Sequence, residues 1–205
     1  MSSLLQVTAV LPGLLTGLSL IVAIGAQNAH VLRQGLSRSH VGLTVAICAV
    51  SDALLITAGV GGVGEVVFSQ PAALTALRWL GAAYLVGYGL RSLWNVRRPQ
   101  ALAASAGSRR GRRAAAAAAL ALTYLNPHVY LDTVLMLGSI ANQHGTPDRW
   151  WFASGAVLGS VVWFSSLGYG ARVASPVLDR PSTWRVIDLG IGIVMIGLGF
   201  GLLLG

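Results

Sequence analysis

Asn126-Pro127-His128-Val129 lies in the middle of a long apolar segment, and Asn28-Ala29-His30-Val31 lies at the corresponding place in an earlier one. A polar, helix-breaking sequence is costly at membrane depth, because no water is available there to hydrogen-bond the backbone. When such breaks occur at matching positions in two halves of a chain, they indicate a transporter's binding site between inverted repeats. The rest of the sequence is consistent with that interpretation.

The composition indicates an all-α integral membrane protein. The 205 residues are 55% hydrophobic and only 10% charged, with a mean hydropathy of +0.71. Soluble domains carry about 25% charged residues, so the shortfall is large. The chain has 14 arginines and no lysine. Its single cysteine, Cys48, excludes an intramolecular disulfide.

Six apolar segments approach the roughly 20 residues that cross a bilayer as a helix. The third is the weakest, because it contains Arg78 and Arg91, which must reach the interfaces. The predicted spans are Val7–Leu32, Val41–Gly64, Pro71–Leu93, Ala114–Ala141, Trp151–Ala171 and Val186–Gly205.

The arginines predict the orientation of these spans. They concentrate in the loops after segments one, three and five. At the other two loops the charges balance: Glu65 is matched by Arg78 near the start of segment three, and Asp148 by Arg149. The positive-inside rule makes the odd-numbered loops cytoplasmic and places both termini outside. If segment one or three fails to span, the termini lie on opposite sides. No basic region precedes the first apolar run, since the first charged side chain is Arg33, so we expect a retained span rather than a signal peptide.

A basic linker divides the chain into a first three-helix repeat (1–95), the linker itself (96–113) and a second three-helix repeat (114–205). An odd number of spans in each half inverts the second half relative to the first. The predicted fold is therefore six transmembrane helices arranged as two inverted three-helix repeats.

Asp52 and Asp132 are the candidate coupling residues. Each is the only acidic residue in its predicted span. A charged side chain at the centre of a membrane helix costs about 2.5–3.5 kcal/mol on insertion scales, so it usually serves a transport pathway. The alternative is an aspartate that is protonated, or held by a neighbouring hydroxyl. Asp188, by contrast, lies near the end of its span, where we expect it to pair with Arg185.

The two breaks supply the remaining candidate site residues. Gly25 and Pro127 are the candidate helix breakers, and unwound backbone beside them could present carbonyls or helix ends to a ligand. A plain kink packed against a neighbour is the alternative. The polar candidates for substrate binding or coupling are Gln27, Asn28, Asn126, His128, Tyr124 and Tyr130; for the histidine and the tyrosines, ordinary packing roles remain open.

These residues resemble the LysE family of basic amino acid exporters, most closely its lysine/arginine branch. The resemblance rests on Gly25-Ala26-Gln27-Asn28, Arg33-Gln34-Gly35, Ser51-Asp52 and the long string from Leu122 to Thr133, and it covers nearly the whole chain. It implies a bacterial inner-membrane exporter of L-arginine or L-lysine driven by the proton gradient, with an aspartate pair matching Asp52 and Asp132. One departure is Ala26, where the family usually has proline, so the first helix could be more continuous than the second.

The predicted function is thus secondary transport of a basic amino acid out of the cytoplasm in exchange for protons, without cofactor, metal or nucleic acid. Partners are the substrate, protons and the lipid bilayer, and small-residue spacings allow a homo-oligomer. The alternatives are an exporter of another small cationic or neutral amino acid metabolite, or a cation channel. A membrane enzyme has weak support, because no nucleophile–base pair or metal cluster is evident.

Overall fold

The structure, a computed structural model, describes residues 2–22, 25–63, 69, 71–96, 111–178 and 181–204. Within these ranges the chain is helical and contains no strand. The helices are α1 (Ser2–Ile21), α2 (Ala26–Leu36), α3 (Val41–Val60), α4 (Pro71–Val96), α5 (Arg112–Tyr124), α6 (Pro127–Val129), the π-helix π1 (Tyr130–Leu137), α7 (Gly138–Asn142), α8 (Asp148–Leu178) and α9 (Pro181–Leu204). Most of the predicted linker, residues 97–110, lies outside the described residues.

Among the described residues, three helices are long and apolar enough to cross a membrane: Val41–Val60, Asp148–Pro176 and Trp184–Leu204. A fourth span results if Ala9–Ile21 and Ala26–Leu36, which meet at an angle of 83°, are counted as one broken segment. The fold is therefore a helical membrane protein with three to four candidate spans, fewer than the six predicted. Helix α4, which contains Arg78 and Arg91, is not among these candidate spans. The segment from α5 to α7, which is broken at Asn126-Pro127, is not among them either.

Small residues bring the helices together in two close pairs. Helix α1 packs along α8, where a Cβ added to Gly17 would lie 2.9 Å from the Ala156 Cα. Helix α4 packs along α9 in a similar way, and a Cβ on Gly89 would lie 3.0 Å from the Gly192 carbonyl oxygen. Glycines have no Cβ and therefore let the two backbones approach closely, which is a common way for membrane helices to associate.

The interior is divided between two packing units. Helices α1, α3 and α8 pack with π1 and α7 around Ile56, Leu137 and Phe152. The α4–α9 pair contacts the rest of the described protein mainly through α2 and α6, and an apolar cluster that includes Leu85 and Met195 buries this contact. Both helix breaks thus lie where the two units meet.

Candidate functional site

The first helix break occurs without a proline. Helix α1 ends at Ile21, Gly25 is extended (φ −127°, ψ 174°), and α2 begins at Ala26. The Asn28 side chain donates from Nδ2 to the Ile21 carbonyl oxygen at 2.7 Å, so an acceptor left at the end of α1 is satisfied. Asn28 Oδ1 in turn accepts from Trp163 Nε1 on α8 at 3.1 Å. The possibility of a more continuous first helix, raised by Ala26, is therefore wrong, because a side-chain amide stabilises the bend.

The second break has the expected asparagine–proline geometry. Asn126 is extended and its Oδ1 accepts from the His128 backbone N–H at 3.2 Å, while Pro127 occupies the first position of α6, where no amide donor is needed. The Tyr130 hydroxyl donates to the Tyr124 carbonyl oxygen at 3.0 Å. The chain then continues as the π-helix π1, which carries Asp132. Such segments are rare and frequently occur at functional sites.

A cavity of about 250 Å³ lies between the two breaks. It is lined by helix ends from both broken segments, by α3 and π1, and by Phe164 and Leu198 from α8 and α9. Seven of the residues singled out from the sequence meet there: Gly25, Gln27, Asn28, Asp52, Asn126, His128 and Asp132.

The charged and polar groups of this cavity differ in how they are held. Asp52 is only 3% exposed and its Oδ2 accepts from the hydroxyl of buried Ser160 on α8 at 2.8 Å. Gln27 lies close enough to interact with Asp52 and Cys48, yet its buried Nε2 has no hydrogen-bond partner of normal geometry among the described residues. A buried donor of this kind is costly unless something else supplies an acceptor.

Three other predicted site residues lie elsewhere. Pro127, Tyr124 and Tyr130 are not among the residues that line the cavity. Tyr124 borders a shallow apolar depression between α3 and α5, next to Ile47 and Leu120. The hydroxyl of Tyr130 is engaged at the end of α5, so the geometry of both tyrosines favours the packing alternative over direct contact with a ligand.

The prediction that Asp188 pairs with Arg185 at the membrane interface is wrong. Asp188 is fully buried, and its Oδ1 lies 3.4 Å from Nη1 of Arg33 on α2, whereas Arg185 is exposed. Packing of α9 against α4 and α2 turns this side chain inward. Sequence reasoning also missed Ser160, because a serine in an apolar helix carries no signal that separates a carboxylate partner from an ordinary packing residue.

No group of three or more His, Cys, Asp or Glu residues that could hold a metal ion occurs in the parts of the chain that the structure describes. The cavity instead offers carboxylates, amides and helix ends, which are groups for reversible binding of a small polar molecule. A helical membrane protein with such a cavity between two broken helices belongs to the class of small-molecule transporters. The family model described as LysE type translocator matches residues 18–205, and the chain belongs to the LysE family of amino-acid transporters and exporters.

The relatives agree with this assignment. A lysine exporter LysE from Corynebacterium diphtheriae is 43% identical over 89% of this chain and 93% of its own length. A second lysine exporter LysE, from Corynebacterium efficiens, is 36% identical over 94% of this chain and 96% of its own. A Mycobacterium bovis protein, provisionally named an amino-acid transporter, is 42% identical over 88% of this chain and 89% of its own. No solved structure matches the chain. The protein is thus a transporter and not an enzyme.

Proposed function

We propose that the protein exports L-lysine or L-arginine from the cytoplasm in exchange for protons. The observation that carries this proposal is the pair of carboxylates, Asp52 and Asp132, that line a single cavity. No lysine or arginine is among the described residues that line the same cavity. Two acidic groups without a basic counterpart favour a ligand with surplus positive charge, since a buried charge requires a partner.

The size of the cavity supports a single amino acid as the substrate. Ligand pockets usually measure roughly 300–1,000 Å³. At about 250 Å³, this cavity lies just below that range and is too small for a peptide or a nucleotide. The names of the corynebacterial relatives, both lysine exporters, point to the same class of compound.

The substrate carboxylate needs a donor, and the first break provides one. Gln27 Nε2 is buried without a partner of normal geometry at the start of α2, where backbone N–H groups of the first turn also lack acceptors within the helix. A carboxylate at this position would satisfy these donors. The two cationic groups of lysine, or the ammonium and guanidinium of arginine, would then lie toward Asp52 and Asp132.

The energetics of charge movement support exchange for a cation such as a proton. Carrying one positive charge out of an interior-negative cell costs about 2.3 kcal/mol per 100 mV. Inward movement of one proton per exported cation cancels this cost. An aspartate that holds either a proton or the substrate cation, but not both together, would couple the two movements.

The arrangement of helices supports two inverted three-helix repeats, 1–95 and 114–205, as the basis of alternating access. Suppose that α1–α2, α3 and α4 of the first half correspond to α5–π1, α8 and α9 of the second. Each contact between the halves then has an equivalent contact in which the two halves are interchanged. The contact of α1 with α8 matches that of α5 with α3, that of α2 with α8 matches that of π1 with α3, and that of α2 with α9 matches that of α6 with α4. On this basis α4 and the second broken segment complete six spans in the bacterial inner membrane, with the arginine-rich loops cytoplasmic and both termini outside.

Proteoliposomes loaded with labelled lysine or arginine, with and without an imposed pH gradient, test this proposal. We expect efflux that the pH gradient accelerates and that Asp52→Asn and Asp132→Asn each reduce strongly, though measurably, at normal protein levels. Wild-type rates in both variants would contradict the proposal. Ionic current without proton movement would indicate a cation channel instead.

The role of Gln27 can be tested separately with 1,5-diaminopentane, the diamine that remains when lysine loses its carboxylate. Gln27→Met should reduce lysine transport about tenfold or more, because a hydrogen bond to a charged group contributes about 1.5–3 kcal/mol. Transport of the diamine should fall much less, because it has no carboxylate to lose a donor, although Gln27 also lies beside Asp52. Gln34→Met is the matched control, since Gln34 is equally buried on α2 but does not line the cavity. An equal loss for both compounds would place the carboxylate elsewhere.

A further inference from the structure

A buried ion pair and a neighbouring hydroxyl join three helices through residues that do not line the cavity. Arg33 Nη1 on α2 lies 3.4 Å from Asp188 Oδ1 on α9, and the side chains are 12% and 0% exposed. The hydroxyl of Ser92 on α4, itself fully buried, lies 3.2 Å from the same carboxylate oxygen and 3.0 Å from the Asp188 carbonyl oxygen. The three side chains, here called the α2 latch, connect α2 to both members of the α4–α9 pair.

A second polar contact lies one turn away on the same helices. His30 Nδ1 is 3.4 Å from the Tyr88 hydroxyl, and the two rings meet edge to face with centroids 6.4 Å apart. His30 precedes Arg33 by one turn of α2, and Tyr88 precedes Ser92 by one turn of α4. Polar side chains therefore hold α2 against the α4–α9 pair from His30 to Arg33, while its first turn lines the cavity.

The α4–α9 pair contacts the second helix break in a different way. Gly81 of α4 lies against the Leu125 carbonyl and Pro127, so closely that an added Cβ would overlap this backbone. Thus the α4–α9 pair is held to one broken helix by an ion pair and to the other by backbone packing.

A buried ion pair is poor evidence for stability, because the loss of hydration can exceed the attraction, and apolar residues of similar size are often as stable. Its physical advantage is that both charges regain water when the cleft between them opens. Apolar side chains, by contrast, gain no favourable contact with water when a cleft opens. A charged contact at a boundary between two packing units therefore suits a contact that must break and re-form.

We propose that the α2 latch closes the cavity toward the end of the molecule where α2 ends, and that it opens once in each transport cycle. This is the side of Arg33 and Arg38, the cytoplasmic side in the proposed topology. The inference rests on the proposed function in requiring a cycle with alternate opening. It assigns to Arg33, Ser92 and Asp188 a role in gating, separate from the cavity residues that would contact the substrate.

Sided thiol labelling tests this assignment. The reporter is Thr133→Cys, a position that lines the cavity, in a Cys48→Ser background that removes the single native cysteine. A membrane-impermeant maleimide is applied to right-side-out and inside-out vesicles. With Arg33→Gln or Asp188→Asn we expect labelling from the arginine-rich side to rise about tenfold or more, because either variant removes the ion pair that joins α2 to α9. Labelling from the opposite side should not rise.

Three further variants make the result decisive. Exchange of the charges, Arg33→Asp with Asp188→Arg, should restore slow labelling. Ser92→Ala should give a smaller one-sided increase while keeping the ion pair, which guards against variants that fail to fold. Arg91→Gln is the matched control, since Arg91 precedes Ser92 on α4 but is exposed.

Unchanged labelling, or an equal increase from both sides, would overturn the proposal, because general loosening of the fold has no preferred side. The labelling requires no substrate. One-sided labelling without proton-coupled lysine or arginine efflux would contradict the proposed function and leave the latch standing, whereas the reverse would remove the latch alone.

Discussion

Ser160 should control the affinity of the transporter, although it is not among the residues that line the cavity. Its hydroxyl donates to Asp52 Oδ2 at 2.8 Å, and both residues are buried, at 0% and 3% exposure. We expect Ser160→Ala to leave Asp52 in the cavity but no longer fixed in orientation. The variant should fold, because serine and alanine are similar in size and the remaining packing of α8 is unchanged.

The size of the effect depends on whether Asp52 acts as a carboxylate. A hydrogen bond to a charged group contributes about 1.5–3 kcal/mol, which corresponds to about a 10- to 150-fold change in an equilibrium constant. Hydrogen bonds between membrane helices average only about 0.6 kcal/mol, which corresponds to about threefold. Because the proposed function has Asp52 bind the substrate cation as a carboxylate, the larger value applies. We therefore expect the lysine concentration for half-maximal efflux to rise about tenfold or more in Ser160→Ala.

The assay is initial efflux from proteoliposomes over a range of internal lysine concentrations, with protein amounts matched by immunoblot. Ser166→Ala is the control, because Ser166 lies on the same helix but is exposed. In the Asp52→Asn background, Ser160→Ala should add little further loss, since residues that act through one another are not additive. A Ser160→Ala variant that transports like Ser166→Ala, or losses that simply add in the double variant, would refute a role through Asp52.

Two further predictions concern the framework around the cavity. Gly59→Ala should lower the free energy of unfolding of the detergent-purified protein by about 1–3 kcal/mol, because the added Cβ would lie 2.8 Å from a Cα of π1. The melting temperature should fall accordingly. Gly197→Ala, with no neighbour within 4 Å, should leave the melting temperature unchanged, and equal behaviour of the two would be inconsistent with close packing at π1. Asn28→Ala should also destabilise the protein, by about 1–3 kcal/mol, because the Ile21 carbonyl oxygen loses its donor at the bend. Asn28→Asp keeps the acceptor for Trp163 and should recover only part of the loss; full stability of Asn28→Ala would mean that the bend does not depend on this amide.

The sequence by itself determined the class of protein and the place of the second helix break. Apolar runs with few charges require a bilayer, and Asn126-Pro127 predicts an interrupted helix from covalent chemistry alone. The LysE family was also recognisable from these local strings, and the family match over residues 18–205 confirms it. These features are local, since each depends on residues a few positions apart.

The tertiary structure decided which partner each polar side chain has. Asp52 contacts Ser160, and Asp188 contacts Arg33 rather than the nearby Arg185, because helix packing brings together residues that are distant in sequence. The break without a proline depends in the same way on Asn28, whose amide reaches the end of α1 and is held by α8. In a membrane interior every polar group must find a partner within the protein, and only the packed helices determine which partner is within reach.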